Sequence, residues 1–385
     1  MARVRGTIVV RGAGALAVAG AVAACALDGR ARDAADQAQG PFLLVAGLLL
    51  LGLVADGDGV FGWASDRLLG VTTHPARLLA VALALVAAVT ALLNLDTAVV
   101  FLTPILLGAA RGAGIDEEPF LYGSVLMANA SSLLLPGANL TNLLVLAGEP
   151  VSGATFTARV LPAALTAASV TACGLLLLQA SQRRDTNRTP DEAHVEGSDP
   201  GREVRALGVV ACAVAAGLVL ALPHPGVPVL VVGLVAAAIR VRGRRTTLAA
   251  AVEAVGPGAL AALFALSVLL GLLARTWSGP ADLLASAGAW QTTAVGALAA
   301  VGVNNLPAAV LLSATPPPHP RALLLGLNLG PNLAVTGSLS AYLWLKAART
   351  AGADPSPRRF SAIGVPLAVA AMVAALATMA LVGPS

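Results

Sequence analysis

The chain is short of charge, of aromatic rings and of cysteine, and each shortage closes off a class of protein. Only 11% of its 385 residues are charged, against roughly 25% in a soluble domain, so water is a poor solvent for this surface. Aromatics make up 3%. The net charge of +4 comes from arginines in short loops, not from a basic stripe interleaved with rings, so nucleic acid is not expected as a partner. Cys25, Cys173 and Cys212 lie far apart in apolar runs, with no CxxC or Cys/His spacing, so neither a disulfide framework nor a zinc site is expected. His74, His194, His224 and His319 sit in loops or beside prolines without an HExxH motif. Glu253 and Asp282 lie near the ends of apolar runs, where water is close. With no nucleophile–base pair and no acidic metal motif, the chain reads as no enzyme, and no cofactor is expected.

What is present is apolar length. Runs recur at Pro41–Ala55, Leu78–Leu93, Ala206–Leu222, Leu248–Ala274 and Ser361–Leu381. About 18 such residues suffice for a membrane span, and shorter runs suit re-entrant segments. They are built of Ala, Leu, Val and Gly, which let helix backbones approach closely in lipid. Arg3, Arg5 and Arg11 before Gly12–Ala24 resemble a signal peptide, and Val22-Ala23-Ala24-Cys25 resembles a lipoprotein cleavage box. Because the remainder is membrane-embedded, Thr7–Leu27 reads as the first span. The expected fold is all-α and polytopic, in contact with the lipid bilayer of the inner (cell) membrane.

One polar segment, Ser181–Arg205, is charged, contains Pro and Gly and lacks apolar periodicity; it reads as a solvated cytoplasmic linker. It separates a first membrane repeat, 1–180, from a second, 206–385. Asn94-Leu95-Asp96-Thr97-Ala98-Val99-Val100 aligns with Asn305-Leu306-Pro307-Ala308-Ala309-Val310-Leu311, and Gly137-Ala138-Asn139-Leu140 aligns with Gly330-Pro331-Asn332-Leu333. The two matches fall in the same order, as internal repeats require. The second half carries one more apolar run ahead of its matched motif, so the first half is expected to be one peripheral helix short.

The matched elements put helix breakers and polar side chains inside apolar runs. Backbone freed from a helix in lipid costs several kcal/mol per unpaired group, so breakers belong there only where they line a protein-covered cavity. Pro136-Gly137 and Gly330-Pro331 break would-be spans, and Asn94/Asp96 and Asn304/Asn305 lie where two apolar arms meet. Asp96 reads as the N-cap of the arm Thr97–Ala110, and Asn305 before Pro307 as the same signal in the second half. The expected architecture is two inverted repeats, each with a re-entrant hairpin and a broken transmembrane helix. Their ends meet near mid-membrane, which is the pattern of secondary transporters. With the linker in the cytoplasm, 19 of the 24 Lys and Arg fall on the cytoplasmic side, as the positive-inside rule demands.

At these motifs the sequence resembles the arsenite/antimonite efflux permeases (arsenical pump membrane proteins) of the ion transporter superfamily. The residues that carry the resemblance are Asp96 with Leu102-Thr103-Pro104, Ala128 through Asn142, Asn304-Asn305-Leu306-Pro307, and Leu329-Gly330-Pro331 through Gly337-Ser338-Leu339 with Leu343-Trp344. Leu95 stands where the family usually has Asn before the hairpin aspartate, Ala138 where Ser is usual, and Asn332 where some members have Lys. The resemblance implies export of trivalent arsenic or antimony hydroxide by proton antiport, a small inorganic substrate, and in some cases a soluble ATPase subunit. A homodimer is compatible with such an assembly.

Asp96 is the leading single candidate. An acid deep in lipid costs at least about 2.5 kcal/mol and is a functional hypothesis by default, which suits a proton carrier. With it, Asn94, Thr97, Asn139, Thr141, Asn142, Asn304, Asn305, Asn332, Thr336 and Ser338 form a neutral hydrogen-bonding set for substrate or ion. Asn129, Ser131 and Ser132 read instead as helix–helix contacts. A sodium/proton antiporter would typically carry more than one buried carboxylate. A carboxylate transporter needs a cation that this set lacks, and a non-transporting receptor or assembly protein has no use for two pairs of breaks. The scatter of the cysteines generates a test: a variant with Cys25, Cys173 and Cys212 replaced by Ala is expected to keep metalloid resistance. Complete loss in a normally inserted variant overturns that expectation.

Overall fold

The computed structural model describes residues 2–71, 74–147, 152–185 and 204–382, and among these every regular element is helical. Among the described residues six helical stretches are long and apolar enough to cross a membrane. In the first half α1 (Ala2–Leu27) and α2 (Gly29–Gly57) form a tight pair, followed by a short α3 (Val60–Val71). Next come a helical hairpin, α4 (Pro75–Leu92) and α5 (Leu95–Gly112), an interrupted helix, α6 (Glu118–Ser131) and α7 (Leu140–Leu146), and the long α8 (Gly153–Asp185). The second half opens with α9 (Ala206–Ala221) and α10 (Gly226–Arg242). It then repeats the plan: α11 (Leu248–Val255) with α12 (Pro257–Thr276), a short α13 (Gly279–Ala285), the hairpin α14 (Ala289–Val303) and α15 (Asn305–Ser313), the interrupted α16 (Pro320–Leu329) and α17 (Leu339–Thr350), and α18 (Pro357–Val382).

The expected spans are recovered, with three differences. The run 248–274 is two helices, because Gly256 adopts φ +57° ahead of Pro257, and a proline there starts a helix well but cannot continue one. The short helices α3 and α13 were not anticipated. Helix α8 continues to Asp185, into the segment read as linker; residues 186–203 of that segment, with His194, lie outside the described residues.

Packing directions show that the halves are inverted copies. A single residue, Asp28, joins α1 to α2 and caps α2 by accepting the Arg30 N–H at 2.8 Å, so α1 and α2 run antiparallel. Helix α10 lies parallel to α2: Gly226 faces Gly40, Gly233 faces Gly47, and Arg240 meets Asp58. A side chain on Gly233 would sit 2.6 Å from the Gly47 carbonyl oxygen, so these backbones touch. In the same way α12 lies parallel to α1, with Gly14 against Ala262 and Gly20 near Leu269. Helix α1 is thus the counterpart of α10, and α2 of α11–α12, with each pair reversed in direction. Helices α8 and α18 cross antiparallel, where Thr166 meets Thr378 at 3.1 Å and Gly174 faces Leu367. Helix α9 has no counterpart among the described residues, in line with the extra apolar run of the second half.

The interlocking has an electrostatic anchor. Asp58, at the end of α2, is 2% exposed and pairs with Arg240 of α10, itself 4% exposed. The same carboxylate accepts the Gly208 N–H at 2.7 Å, and the Asp58 carbonyl accepts the Arg205 N–H at 3.1 Å. Three helix ends from both halves therefore meet on one residue. Removing one partner strands a buried charge, which typically costs about 3–5 kcal/mol. Asp58→Ala is accordingly expected to lower thermal stability in detergent sharply, with Asp58→Ala/Arg240→Ala recovering part of the loss. Wild-type melting of the single variant, read by size exclusion after heating, would refute this.

Candidate substrate site

The two helix interruptions are built the same way. Leu135, before Pro136, is extended (φ −132°, ψ 152°), as a residue preceding proline prefers. A tight turn, Pro136–Ala138, follows, and Asn139 then caps α7 by accepting the Thr141 N–H at 3.1 Å. In the second half the turns Gly330–Asn332 and Val335–Gly337 precede Ser338, which caps α17 by accepting the Ala341 N–H at 3.1 Å. Both caps are extended residues at the restart of a helix, so Asn139 and Ser338 are equivalent. The alignment of Gly137-Ala138-Asn139 with Gly330-Pro331-Asn332 is corrected: the structural equivalent of that triplet is Thr336-Gly337-Ser338. Counting back ten residues from each cap makes Asn129 and Asn328 a second equivalent pair.

These asparagines cross between the halves. Asn328, fully buried, accepts from the Ser132 hydroxyl and from the Asn139 amide (2.7 Å), and its own amide donates to the Asn142 carbonyl (2.8 Å) and to the Leu324 carbonyl (2.8 Å). Asn142 in turn donates to the Ser132 backbone carbonyl at 2.7 Å. Asn129 donates to the Asn332 side chain at 2.8 Å, and Asn332 donates to the Leu126 carbonyl at 3.0 Å. Each interruption is thus stapled by side chains of the other. Of the expected site residues, Asn139, Asn142 and Asn332 belong to this staple.

The hairpin tips come to the same place from the other side. Asn94, not Asp96, caps α5: its carbonyl oxygen accepts the Thr97 N–H at 2.7 Å. The cap sits two residues ahead of the expected position because only the Asn94 backbone is extended (φ −173°). That leaves the Asp96 carboxylate free in the first turn, where the helix dipole favours negative charge, to accept a hydrogen bond from the Ser340 hydroxyl of α17. Likewise Asn304, not Asn305, caps α15, accepting the Leu306 N–H and donating to the Thr336 carbonyl, both at 3.3 Å. Asn304 has φ +77°, a conformation that costs a non-glycine residue about 1–3 kcal/mol and recurs at ligand clamps. Asn305 is buried one residue inside the helix. Helix α15 has only 9 residues, about 14 Å at the helical rise, and so cannot cross a core of about 30 Å.

Hydrogen bonds therefore connect all four interruptions: Asp96 to Ser340, Asn304 to Thr336, and Asn139 to Asn328. Of the other expected residues, Thr97 turns its side chain toward Gly52 of α2, Asn305 lies inside α15, and Asn94 and Ser338 cap their own helices. A cavity of 440 Å³ lies to one side, between α2, α7, α8, α9 and α10, and borders the first interruption through Pro136 and Leu143. Among the described side chains that bond across the interruptions there are Asn, Ser, one Thr (Thr336, to the Val301 carbonyl) and one Asp, and none is Lys, Arg or His. Asn94, Asn129 and Thr141 each bury a side-chain polar atom without a partner inside the protein. Reading the sequence alone misses Asn328 and Ser340. The signal for both is the repeat register, which maps Asn129 onto Asn328 and Thr141 onto Ser340.

Asn328 generates a direct test. Asn328→Leu leaves the Asn139 amide and the Asn142 carbonyl each short of a buried partner, at about 1–3 kcal/mol apiece, while the Ser132 hydroxyl keeps the Asn129 carbonyl. The variant is expected to melt well below Asn129→Leu, which removes only one cross-half bond. Equal melting of the two would show that Asn328 is not the hub.

A family model described as citrate transporter matches residues 4–327. None of the curated proteins compared matches the chain. The fold is similar to that of the Alcanivorax borkumensis YdaH transporter, whose crystal structure is described as having an unusual topology. The TM-score is 0.62 at 14% identity, over 92% of this chain and 88% of that one.

Proposed function

The chain belongs to the citrate transporter family, and from the chemistry of its helix interruptions we propose that it exports an uncharged trivalent arsenic or antimony hydroxide in exchange for protons carried by Asp96. It is a multi-pass membrane transporter and not an enzyme. The observation that carries the substrate reading is the chemistry of the four interruptions, where neutral amides and hydroxyls surround a single carboxylate. A neutral polyhydroxy solute finds donors and acceptors there. A free carboxylate anion finds no cationic partner, and a like charge in Asp96 disfavours it. The inner-membrane placement and a cytoplasmic 181–205 segment belong to the same reading.

Asp96 gives the coupling a physical form. As a carboxylate it only accepts, and the Ser340 hydroxyl donates to it. Once protonated it carries an O–H of its own and the polarity of that bond reverses. The state of the proton is thereby passed from the tip of the first hairpin to the start of α17, the helix capped by Ser338.

A second reading, transport of a carboxylate, is favoured by the description of the family; in this site the anion would travel with its charge cancelled by a bound cation. Everted vesicles separate the two. Arsenite accumulation driven by a pH gradient is expected in the wild type. Asp96→Asn, which leaves the Asn94 cap untouched, should insert normally and lose the gradient-driven component. Citrate, alone or with a divalent cation, should not compete. Wild-type gradient dependence in Asp96→Asn removes the proton carrier, and inhibition by citrate at arsenite-like concentrations transfers the case to the carboxylate reading.

A further inference from the structure

The two-fold that relates the halves maps Asn94 onto Asn304, since both cap the returning arm of a hairpin. Two residues further on it maps Asp96 onto Leu306. The same operation maps Ser338 onto Asn139 and Ser340 onto Thr141. The first hairpin and second interruption thus form an acid–hydroxyl pair, Asp96 with Ser340. The second hairpin and first interruption form the corresponding place with a leucine where the acid would be. The hydroxyl shows the difference: Ser340 donates to a carboxylate, whereas Thr141, 1% exposed, has no partner for its hydroxyl. Leu306 lies with Leu140 of α7 around the apolar cluster that includes Leu144 and Val310, so that half of the site is apolar where the other carries an acid.

We propose that this asymmetry fixes the coupling at one proton per cycle, and that Leu306 is the residue that sets it by silencing a second, latent proton site beside Thr141. The inference rests on Asp96 being the proton carrier. In each cycle one proton binds the Asp96 carboxylate from one side and leaves it on the other. An acid at 306 would carry a second proton by the same route, with the Thr141 hydroxyl as its donor. With an acid in only one half, each cycle draws from a pH gradient half the free energy that two acids would.

The test is the steepness of accumulation in proteoliposomes at zero membrane potential. Arsenite serves as probe, or citrate if the competition experiment selects it. One proton per cycle gives about a tenfold concentration ratio per pH unit, and two give about a hundredfold, since each unit supplies about 1.4 kcal/mol per proton. The wild type should follow the tenfold line, and Leu306→Asn, which adds no titratable group, should stay on it. Leu306→Asp should steepen toward a hundredfold. Asp96→Asn should be flat, and Asp96→Asn/Leu306→Asp should return to tenfold. A hundredfold wild-type slope overturns the proposal without any variant. So does a flat double variant that inserts and melts like Asp96→Asn. An Asp96→Asn variant that keeps the wild-type slope sinks the proton-carrier reading itself, a different result from either.

Discussion

The constraint on which the structure depends is that hydrocarbon offers no hydrogen bonds. A helix in lipid satisfies its own backbone, and any departure from the helix has to be repaid by protein. This chain departs four times, at two hairpin tips and two helix interruptions. At the interruptions the repayment comes from the opposite half: Asn328 serves the first, and Asn129 reaches the second through Asn332. Neither half can hold its irregular segment without the other. The same exchange operates in the outer helices, where α10 packs on α2 and α12 on α1, with Asp58 and Arg240 closing one end.

Within that symmetric frame, function comes from small departures from symmetry. The frame supplies two hairpin caps, Asn94 and Asn304, and two helix-restart caps, Asn139 and Ser338. What differs is what stands two residues beyond each. An acid meeting a serine makes a group whose hydrogen bond depends on a proton, and a leucine opposite a threonine does not. The strained backbone of Asn304 marks the second hairpin as the place where a side-chain amide is held in position to donate to the Thr336 carbonyl.

The existence of two repeats, their helical class and the location of the interruptions were legible because apolar length and helix breakers are local properties. Pro136 and Pro331 cannot hide in a span, and Asp96 stands out in an apolar arm. Register was not legible, because short Gly-x-Asn matches in an Ala/Leu-rich chain can be slid by several residues. Only the caps, which require an extended backbone at one position, fix the equivalence. For that reason Asp96 read as a cap when Asn94 fills the role, and Asn305 when Asn304 does. Asn328 was invisible because nothing marks an asparagine in the middle of an apolar helix as the partner of one 186 positions earlier. Such a partnership is a property of topology, not of spacing.

That separation has a consequence for biosynthesis. At synthesis rates of about 5–20 residues per second, the 186 positions between Asn142 and Asn328 correspond to about 10–40 s on the ribosome. Throughout that interval Ser132, Asn139 and Asn142 have emerged and their partner has not. The first half therefore cannot settle into lipid in its final form as it leaves the insertion machinery. Its broken helix has to wait in a wetter place, at the membrane surface or within the translocation channel, or pass through as an unbroken helix that opens only when α16 arrives. Insertion of this chain is in effect held open by an amide.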